Sequence, residues 1–140
     1  MKGIISKSIK YLYYISLIVL LILYLFPGSL LGYFFYGDLG KQPNMIKNPF
    51  GTSINHFFYF SYLSTLGFIY SQIEKNFLNS FLFLLALSVF LELLHFLIPN
   101  RAFELYDVIG NSAGVLIIFT LSKLKKNVLI FFYINIFNYF

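Results

Sequence analysis

The chain contains no cysteine, which excludes disulfide bonds, thiolate metal sites, a cysteine nucleophile and a lipoprotein anchor. It has only two histidines, so a zinc site would need carboxylates as further ligands, and we predict neither a metal site nor a cofactor. The sequence also lacks a Gly-rich phosphate loop, an H-E-x-x-H pattern and a Walker pattern. These absences favour a binding site over a defined reaction.

Charge is scarce as well. Only 11% of the residues are charged, whereas a soluble domain is usually about a quarter charged. Hydrophobic residues make up 59% of the chain and include 19 Phe and 12 Tyr, so the chain cannot cover a water-facing surface. The composition therefore predicts a one-domain, integral membrane protein whose partners are membrane lipids. Nothing indicates nucleic-acid binding, and homo-oligomerisation stays open.

Four apolar segments stand out, at residues 11–30, 56–73, 77–98 and 105–121. Each is near the length of about 20 residues that a helix needs to cross a bilayer. Pro27 lies near the end of the first segment and either kinks or ends that helix. Residues 37–55 are rich in Gly and Pro and form the only substantial loop, whereas the break at 72–76 is short enough for a helical hairpin. The pattern predicts an all-α, polytopic membrane protein with four transmembrane helices in an antiparallel bundle.

Basic residues indicate the orientation of these spans, because cytoplasmic ends carry an excess of lysine and arginine. With the N-terminus inside, seven basic residues lie on the inner side: Lys2, Lys7, Lys10, Lys75, Lys123, Lys125 and Lys126. Only Lys41, Lys47 and Arg101 lie outside. We therefore predict a multi-pass protein of the inner (cytoplasmic) membrane, with both termini cytoplasmic. The membrane domain is assigned to residues 1–126, and residues 127–140 to an aromatic interfacial tail, with a fifth short span as the alternative.

The most informative residues are polar ones at the outer ends of the predicted spans. Ionisable groups in hydrocarbon are costly, so they usually face the bundle interior, find partners or mark a functional site. Arg101 has the fork-shaped donor geometry to pair with Glu92 or Asp107. The candidate ligand-binding residues, all predicted at the outer leaflet, are His56, Glu92, His95, Arg101, Asp107 and Asn111.

Small residues suggest how the last two predicted spans meet. Gly110 and Gly114 are four residues apart and form a smooth helix face that permits close approach. We predict that they press the fourth helix against the third, which would bring Asp107 and Asn111 near Glu92. Their role is helix packing.

Each polar residue also has a structural interpretation. Asp107 near a helix N-terminus is favourable as a capping charge. Glu104 fits a solvated rim position, and an ion pair with Arg101 would account for Glu92 without any chemistry. Three functions therefore stay open: a binding site, an acid–base enzyme, and a structural or assembly subunit held together by its charges.

In their order and spacing these residues resemble the VanZ-like family of small membrane proteins. The matching pieces are His56-Phe57, Glu92, Pro99-Asn100-Arg101, Asp107-Val108 and Asn111-Ser112-Ala113-Gly114, which cover about residues 54–118. The chain departs from the family pattern at His95, where Gln is usual, and at Asn55.

The resemblance implies a role in the cell envelope. The family's named member is associated with low-level resistance to the glycopeptide teicoplanin, so antibiotic resistance is the implied function. The expected ligand is an envelope lipid, a lipid-linked precursor or a lipophilic glycopeptide drug. The alternative functions are an enzyme that modifies an envelope lipid and a purely structural subunit.

Overall fold

A computed structural model describes the backbone of residues 2–43, 51 and 53–137 and the side chains of residues 6–43, 51 and 53–124. The described residues form helices and no strand, which confirms the all-α class. Lys47 and part of the predicted loop lie outside the described residues. The helices are α1 (Lys2–Leu25), α2 (Leu30–Tyr36), α3 (Ser53–Ser71), α4 (Phe81–Leu94) and α5 (Leu105–Phe137), with a short 3-10 turn at Phe77–Asn79.

Pro27 ends the first helix rather than kinking it. α1 stops at Leu25, and Gly28 follows with a positive φ of 84°. The chain then resumes as the short α2, whose first turn is capped by the Ser29 hydroxyl accepting from the Gly32 amide at 2.9 Å. This capping satisfies an amide that the start of a helix leaves without a partner.

The third predicted segment is shorter than expected at both ends. α4 begins at Phe81 because the Ser80 hydroxyl accepts from the Phe83 amide at 3.2 Å and caps the helix there. It ends at Leu94, since the next amides bond three residues back, as in His95 N to Glu92 O at 3.0 Å. The helix therefore has 14 residues instead of the 22 that the sequence suggested.

Within the part of the chain that the structure describes, two helices are long and apolar enough to cross a membrane. The candidate membrane spans are Ser6–Leu25 in α1 and Leu105–Leu124 in α5, whereas the apolar helix α4 is shorter. One face of α1 is buried at residues spaced by three or four, and Ile15, Ile18 and Ile22 lie exposed on the other face. The core residues are Tyr13, Leu17, Leu20 and Tyr24 of α1, Phe60, Leu63, Leu66 and Tyr70 of α3, Leu84 and Leu91 of α4, and Val115 of α5.

Gly110 and Gly114 pack α5 against α3, so the prediction that they face the third predicted helix was wrong. A Cβ at Gly110 would lie 2.6 Å from the Ser53 carbonyl oxygen, and one at Gly114 would lie 2.6 Å from that of Phe57. Because the α3 backbone is this close, only a residue without a Cβ fits at either position. The tight α3–α5 contact places the start of α5 beside the start of α3, which positions the polar residues described next.

The predicted tail does not form a separate element. α5 continues without a break through residue 126 and ends at Phe137. The side chains of this part and residues 138–140 lie outside the described residues, so the interfacial tail stays a prediction.

Candidate functional site

The predicted polar residues come together at one end of the helix bundle. α1 and α4 finish at this end, and α3 and α5 begin there, so four helix termini meet. The buried polar side chains at this end are Ser53, Ser88, Glu92, His95, Asp107 and Asn111, with His56 nearly as well covered. Lys10 and Glu74 form an ion pair at the opposite end of α1 and α3.

A network of hydrogen bonds around Tyr24 and Asn111 links four helices. The Tyr24 hydroxyl donates to Asn111 Oδ1 at 2.6 Å and lies 2.5 Å from His56 Nδ1. The Asn111 amide nitrogen donates in turn to the Ser88 carbonyl oxygen at 3.2 Å. α1, α3, α4 and α5 therefore share one polar network in the core.

Asp107 lies in the first turn of α5, where a negative charge is favourable, and it also bridges to α3. One carboxylate oxygen accepts a hydrogen bond from the Ser53 hydroxyl, and the other lies 3.3 Å from His56 Nε2. The side chain is 3% exposed. The hydrogen bond from Ser53 thereby ties the start of α5 to the start of α3, in addition to their close packing.

Glu92 is fully buried and only half satisfied. Its Oε1 accepts from His95 Nδ1 at 2.9 Å and from the Glu104 backbone amide at 3.1 Å. Its Oε2 has no hydrogen-bond partner among the described residues. A buried carboxylate oxygen without a partner is costly, so this atom calls for an explanation.

His95 joins Glu92 to the end of α1. Its Nε2 donates to the Tyr24 carbonyl oxygen at 3.2 Å, and its ring stacks on the Tyr24 ring with centroids 5.6 Å apart. His95 therefore holds both Glu92 and Tyr24 in place.

Arg101 bonds to backbone oxygens, so the expected ion pair with Glu92 or Asp107 is not present among the described salt bridges. Its side chain donates to the Leu23 carbonyl oxygen at 2.5 Å and to the Phe26 carbonyl oxygen at 3.3 Å. A cation is favoured there because the last carbonyls of a helix carry partial negative charge. Burial lowers the pKa of the Arg101 guanidinium from its usual value, which is high enough that the group stays charged.

A cavity of about 90 Å³ opens beside this network. Leu20, Leu23, Leu30 and Leu31 give it apolar walls. Its polar lining includes Tyr24, His56, His95 and Arg101. The cavity thus combines an apolar side with hydrogen-bonding and charged groups.

A second and larger cavity, of about 450 Å³, lies at the other end of the bundle. Lys75 and Lys123 line it together with Phe81 and Phe119. It contains none of the candidate residues, so size alone does not identify the site.

The structure brings five of the six predicted residues into contact with one another or with shared partners, and Arg101 borders the same cavity. Three further participants, Tyr24, Ser53 and Ser88, were missed. Tyr24 is one of twelve tyrosines and the serines lack a motif, so only the three-dimensional contacts distinguish them. Glu104 is exposed, as expected for a rim residue, and contributes its backbone amide.

A family model described as VanZ/LLP1 matches residues 10–130. No curated protein and no solved structure matches the chain. The match and the two long apolar helices together indicate a membrane protein. The family match extends well beyond the motifs at residues 54–118 and covers most of α1 and most of α5. The chain therefore belongs to the VanZ/LLP1 family.

Proposed function

We propose that this protein binds the polar headgroup of an amphiphile of the cell envelope in the cavity beside the Tyr24 network. The ligand is an envelope lipid, a lipid-linked precursor or a lipophilic glycopeptide drug. The observation that carries the proposal is the cavity itself, whose lining contains leucines together with His56, His95 and Arg101.

The size of the cavity limits what enters it. A volume of about 90 Å³ has room for a small polar group but not for a large molecule. A phosphate or carboxylate headgroup is of this order, whereas a complete lipid is not. The acyl chains would lie along the exposed apolar faces of α1 and α2, where Ile22 and Phe34 are exposed.

Arg101 supplies the charge that an anionic headgroup needs. Two of its five N–H groups bond to the Leu23 and Phe26 carbonyls at the end of α1, which holds the guanidinium in one orientation at the cavity. Its remaining N–H groups are suited to phosphate or carboxylate oxygens, since the guanidinium fork matches both.

The proposal includes the topology of four spans in an antiparallel bundle, in the cytoplasmic membrane, with both termini inside. Lys10 of α1 and Lys75, which follows α3, are at the end opposite the cavity, and a cytoplasmic excess of basic residues would place the cavity at the outer leaflet. An outer-leaflet site is where envelope lipids and glycopeptides are accessible.

Lipid extraction from purified protein tests the proposal. We expect an anionic amphiphile to co-purify with the wild type and with Lys41→Gln, which removes an exposed cation elsewhere. Arg101→Gln should retain at least tenfold less at equal protein recovery. Equal amounts in folded Arg101→Gln would contradict the proposal.

A second candidate function is an enzyme that modifies an envelope lipid. The unpartnered Oε2 of Glu92 favours it, because a buried carboxylate with a free oxygen is suited to accept a proton. Mass spectrometry of envelope lipids from cells with wild type, Asp107→Asn or no protein decides between the two. A covalent lipid change that requires Asp107 would establish the enzyme, and unchanged lipids at equal protein abundance would exclude it.

A resistance role follows only if the bound amphiphile is a glycopeptide or its target. Cells that express the wild type would then tolerate more teicoplanin than cells that express Arg101→Gln. Equal tolerance at equal expression would remove this role and leave lipid binding.

A further inference from the structure

We propose that His56, Glu92 and Asp107 form a binding site for one divalent transition-metal ion, of the zinc or manganese type. The three residues come from the start of α3, the end of α4 and the start of α5. The inference does not depend on the proposed amphiphile, because the ligand atoms belong to this chain alone.

The three residues already bring their ligand atoms close together. One nitrogen of His56 and one carboxylate oxygen from each of Glu92 and Asp107 all lie within 4.8 Å of one another. His56 Nε2 and Asp107 Oδ2 are 3.3 Å apart. Two ligands that share a tetrahedral zinc ion at about 2.0–2.1 Å are separated by roughly 3.4 Å, so this pair has the spacing of two metal ligands.

The hydrogen bonds determine which nitrogen of His56 carries a proton. The Asn111 amide nitrogen donates to the Ser88 carbonyl, so Asn111 Oδ1 is the oxygen that faces Tyr24. The Tyr24 hydroxyl has one proton and donates it to Asn111 Oδ1. The Tyr24 oxygen must therefore accept from His56 Nδ1–H, which lies 2.5 Å away.

With the proton on Nδ1, no positive charge lies between His56 Nε2 and the Asp107 carboxylate. A neutral His56 that is protonated at Nδ1 carries a bare lone pair at Nε2, and that lone pair faces the Asp107 carboxylate at 3.3 Å. Two acceptors at this distance repel each other unless a cation or a second proton lies between them. A metal ion bound to both removes the repulsion.

Each ligand is also held from its outer side. Asp107 Oδ1 accepts from Ser53, Glu92 Oε1 accepts from His95, and His56 Nδ1 donates to Tyr24. Metal ligands typically have such second partners, which set their orientation and, for histidine, the tautomer. The metal would bind the atoms that these hydrogen bonds leave over, which are His56 Nε2, Asp107 Oδ2 and Glu92 Oε2.

Glu92 Oε2 provides independent support. It belongs to a fully buried side chain and has no hydrogen-bond partner among the described residues. His95 pairs with Oε1 alone, so the second oxygen of this buried carboxylate still lacks a donor or a cation. A metal ion at the cluster would supply the Glu92 carboxylate with that positive partner.

The donor set indicates the class of ion. One imidazole nitrogen with two carboxylate oxygens suits zinc or manganese, whereas calcium and magnesium prefer oxygen ligands alone. The chain offers no thiolate, which disfavours copper(I). Water or a phosphate oxygen of a bound headgroup would complete the coordination.

Metal binding by the purified protein in detergent tests the site. After chelator treatment, Zn²⁺ or Mn²⁺ should bind at one ion per chain and raise the thermal midpoint, and Mg²⁺ should do neither. Glu74→Gln removes a carboxylate at the far end of the bundle and should bind as the wild type does. Glu92→Gln and Asp107→Asn should each weaken binding by more than the roughly 10–100-fold that loss of an outer partner causes.

Three outcomes would overturn the inference. The first is a wild-type protein that binds neither Zn²⁺ nor Mn²⁺ at millimolar concentration. In that case a second proton on His56, and not a metal ion, would separate His56 from Asp107. The second is a folded Glu92→Gln or Asp107→Asn variant that binds the metal with wild-type affinity. The third is a Glu74→Gln variant that loses as much metal affinity as the two site variants do. If one of the two site variants does not fold, the other and the wild-type result decide. Because the probe is the metal alone, failure here leaves the amphiphile proposal standing, and the reverse also holds.

Discussion

The Tyr24 hydroxyl donates a 2.6 Å hydrogen bond to Asn111, which joins the last turn of α1 to the second turn of α5. The two residues are 87 positions apart in the chain. Both are buried, and Tyr24 also contacts His56 and His95. This single hydroxyl therefore holds together the network on which both proposals depend.

Replacement of Tyr24 by Phe should destabilise the protein. It removes the hydroxyl but keeps the ring, so Asn111 Oδ1 and His56 Nδ1 each lose a buried partner. An unsatisfied buried polar group costs about 1–3 kcal/mol, and we expect a lower thermal midpoint in detergent. Tyr11→Phe is the matched control, because Tyr11 is on the same helix and 64% exposed. Equal midpoints for the two variants would contradict the assigned role of Tyr24.

Replacement of Gly114 by Ala should disrupt the α3–α5 contact. The added Cβ would lie 2.6 Å from the Phe57 carbonyl oxygen and 2.9 Å from the Ser61 amide nitrogen, and backbone cannot move aside as a side chain can. Overpacking of this kind costs about 1–3 kcal/mol or more.

Gly67→Ala provides a graded comparison in the same assay. Its Cβ would meet the side chains of Leu84 and Tyr13 at 3.1 Å, which can adjust. Unfolding by heat in detergent should rank the wild type first, then Gly67→Ala, then Gly114→Ala. A Gly114→Ala variant as stable as the wild type would contradict the close helix contact.

Arg101 should not be replaceable by Lys. The guanidinium donates to the Leu23 and Phe26 carbonyl oxygens with two different nitrogens, and an ammonium cannot reproduce that planar geometry. Hydrogen bonds to charged groups contribute about 1.5–3 kcal/mol, so Arg101→Lys should lose stability measurably. Lys41→Gln, at an exposed cation, should leave the thermal midpoint unchanged. A stable Arg101→Lys would indicate that charge alone suffices.

The ion pair between Lys10 and Glu74 should matter little and depend on pH. The hydrogen bond from Lys10 keeps the pKa of Glu74 below its usual value. Its contribution is therefore present above the unfolded pKa of about 4.3 and is lost as pH falls through the lower folded value. The thermal midpoints of wild type and Glu74→Gln should differ slightly at neutral pH and converge in acid or high salt. A difference that grows in acid would contradict this sign.

Single cysteines should report the proposed topology, since the chain has no native cysteine. Leu97 is 79% exposed just after α4, and Gln72 is exposed just before it, so the two positions flank one predicted crossing. A membrane-impermeant maleimide should label Leu97→Cys on intact cells and Gln72→Cys only after permeabilisation. Labelling of both from the same side would show that α4 does not cross the membrane.

The all-α fold class could be predicted from the sequence alone. Scarce charge and long apolar segments require helices that satisfy their own backbone hydrogen bonds in lipid. Helix ends were less predictable, as at Ser80 and Leu94, because caps and 3-10 turns depend on which local hydrogen bonds form. The candidate residues His56, Glu92, Asp107 and Asn111 could be singled out from the sequence because polar groups are conspicuous in apolar segments.

Their partners came only from the tertiary structure. Arg101 has the charge to pair with Glu92, but the end of α1 places the Leu23 and Phe26 carbonyls within its reach instead. Gly110 and Gly114 permit close packing against any helix, and the α3 backbone is the one that fills the space.

The sequence by itself determined that this is an all-helical membrane protein with costly polar groups near its span ends, because composition and spacing control burial. The tertiary structure alone decided that Tyr24 links these groups, that Glu92 keeps one oxygen without a described partner, and that a nitrogen of His56 converges with carboxylate oxygens of Glu92 and Asp107. The physical reason is that contacts between residues far apart in sequence depend on how helices pack, which no local pattern specifies.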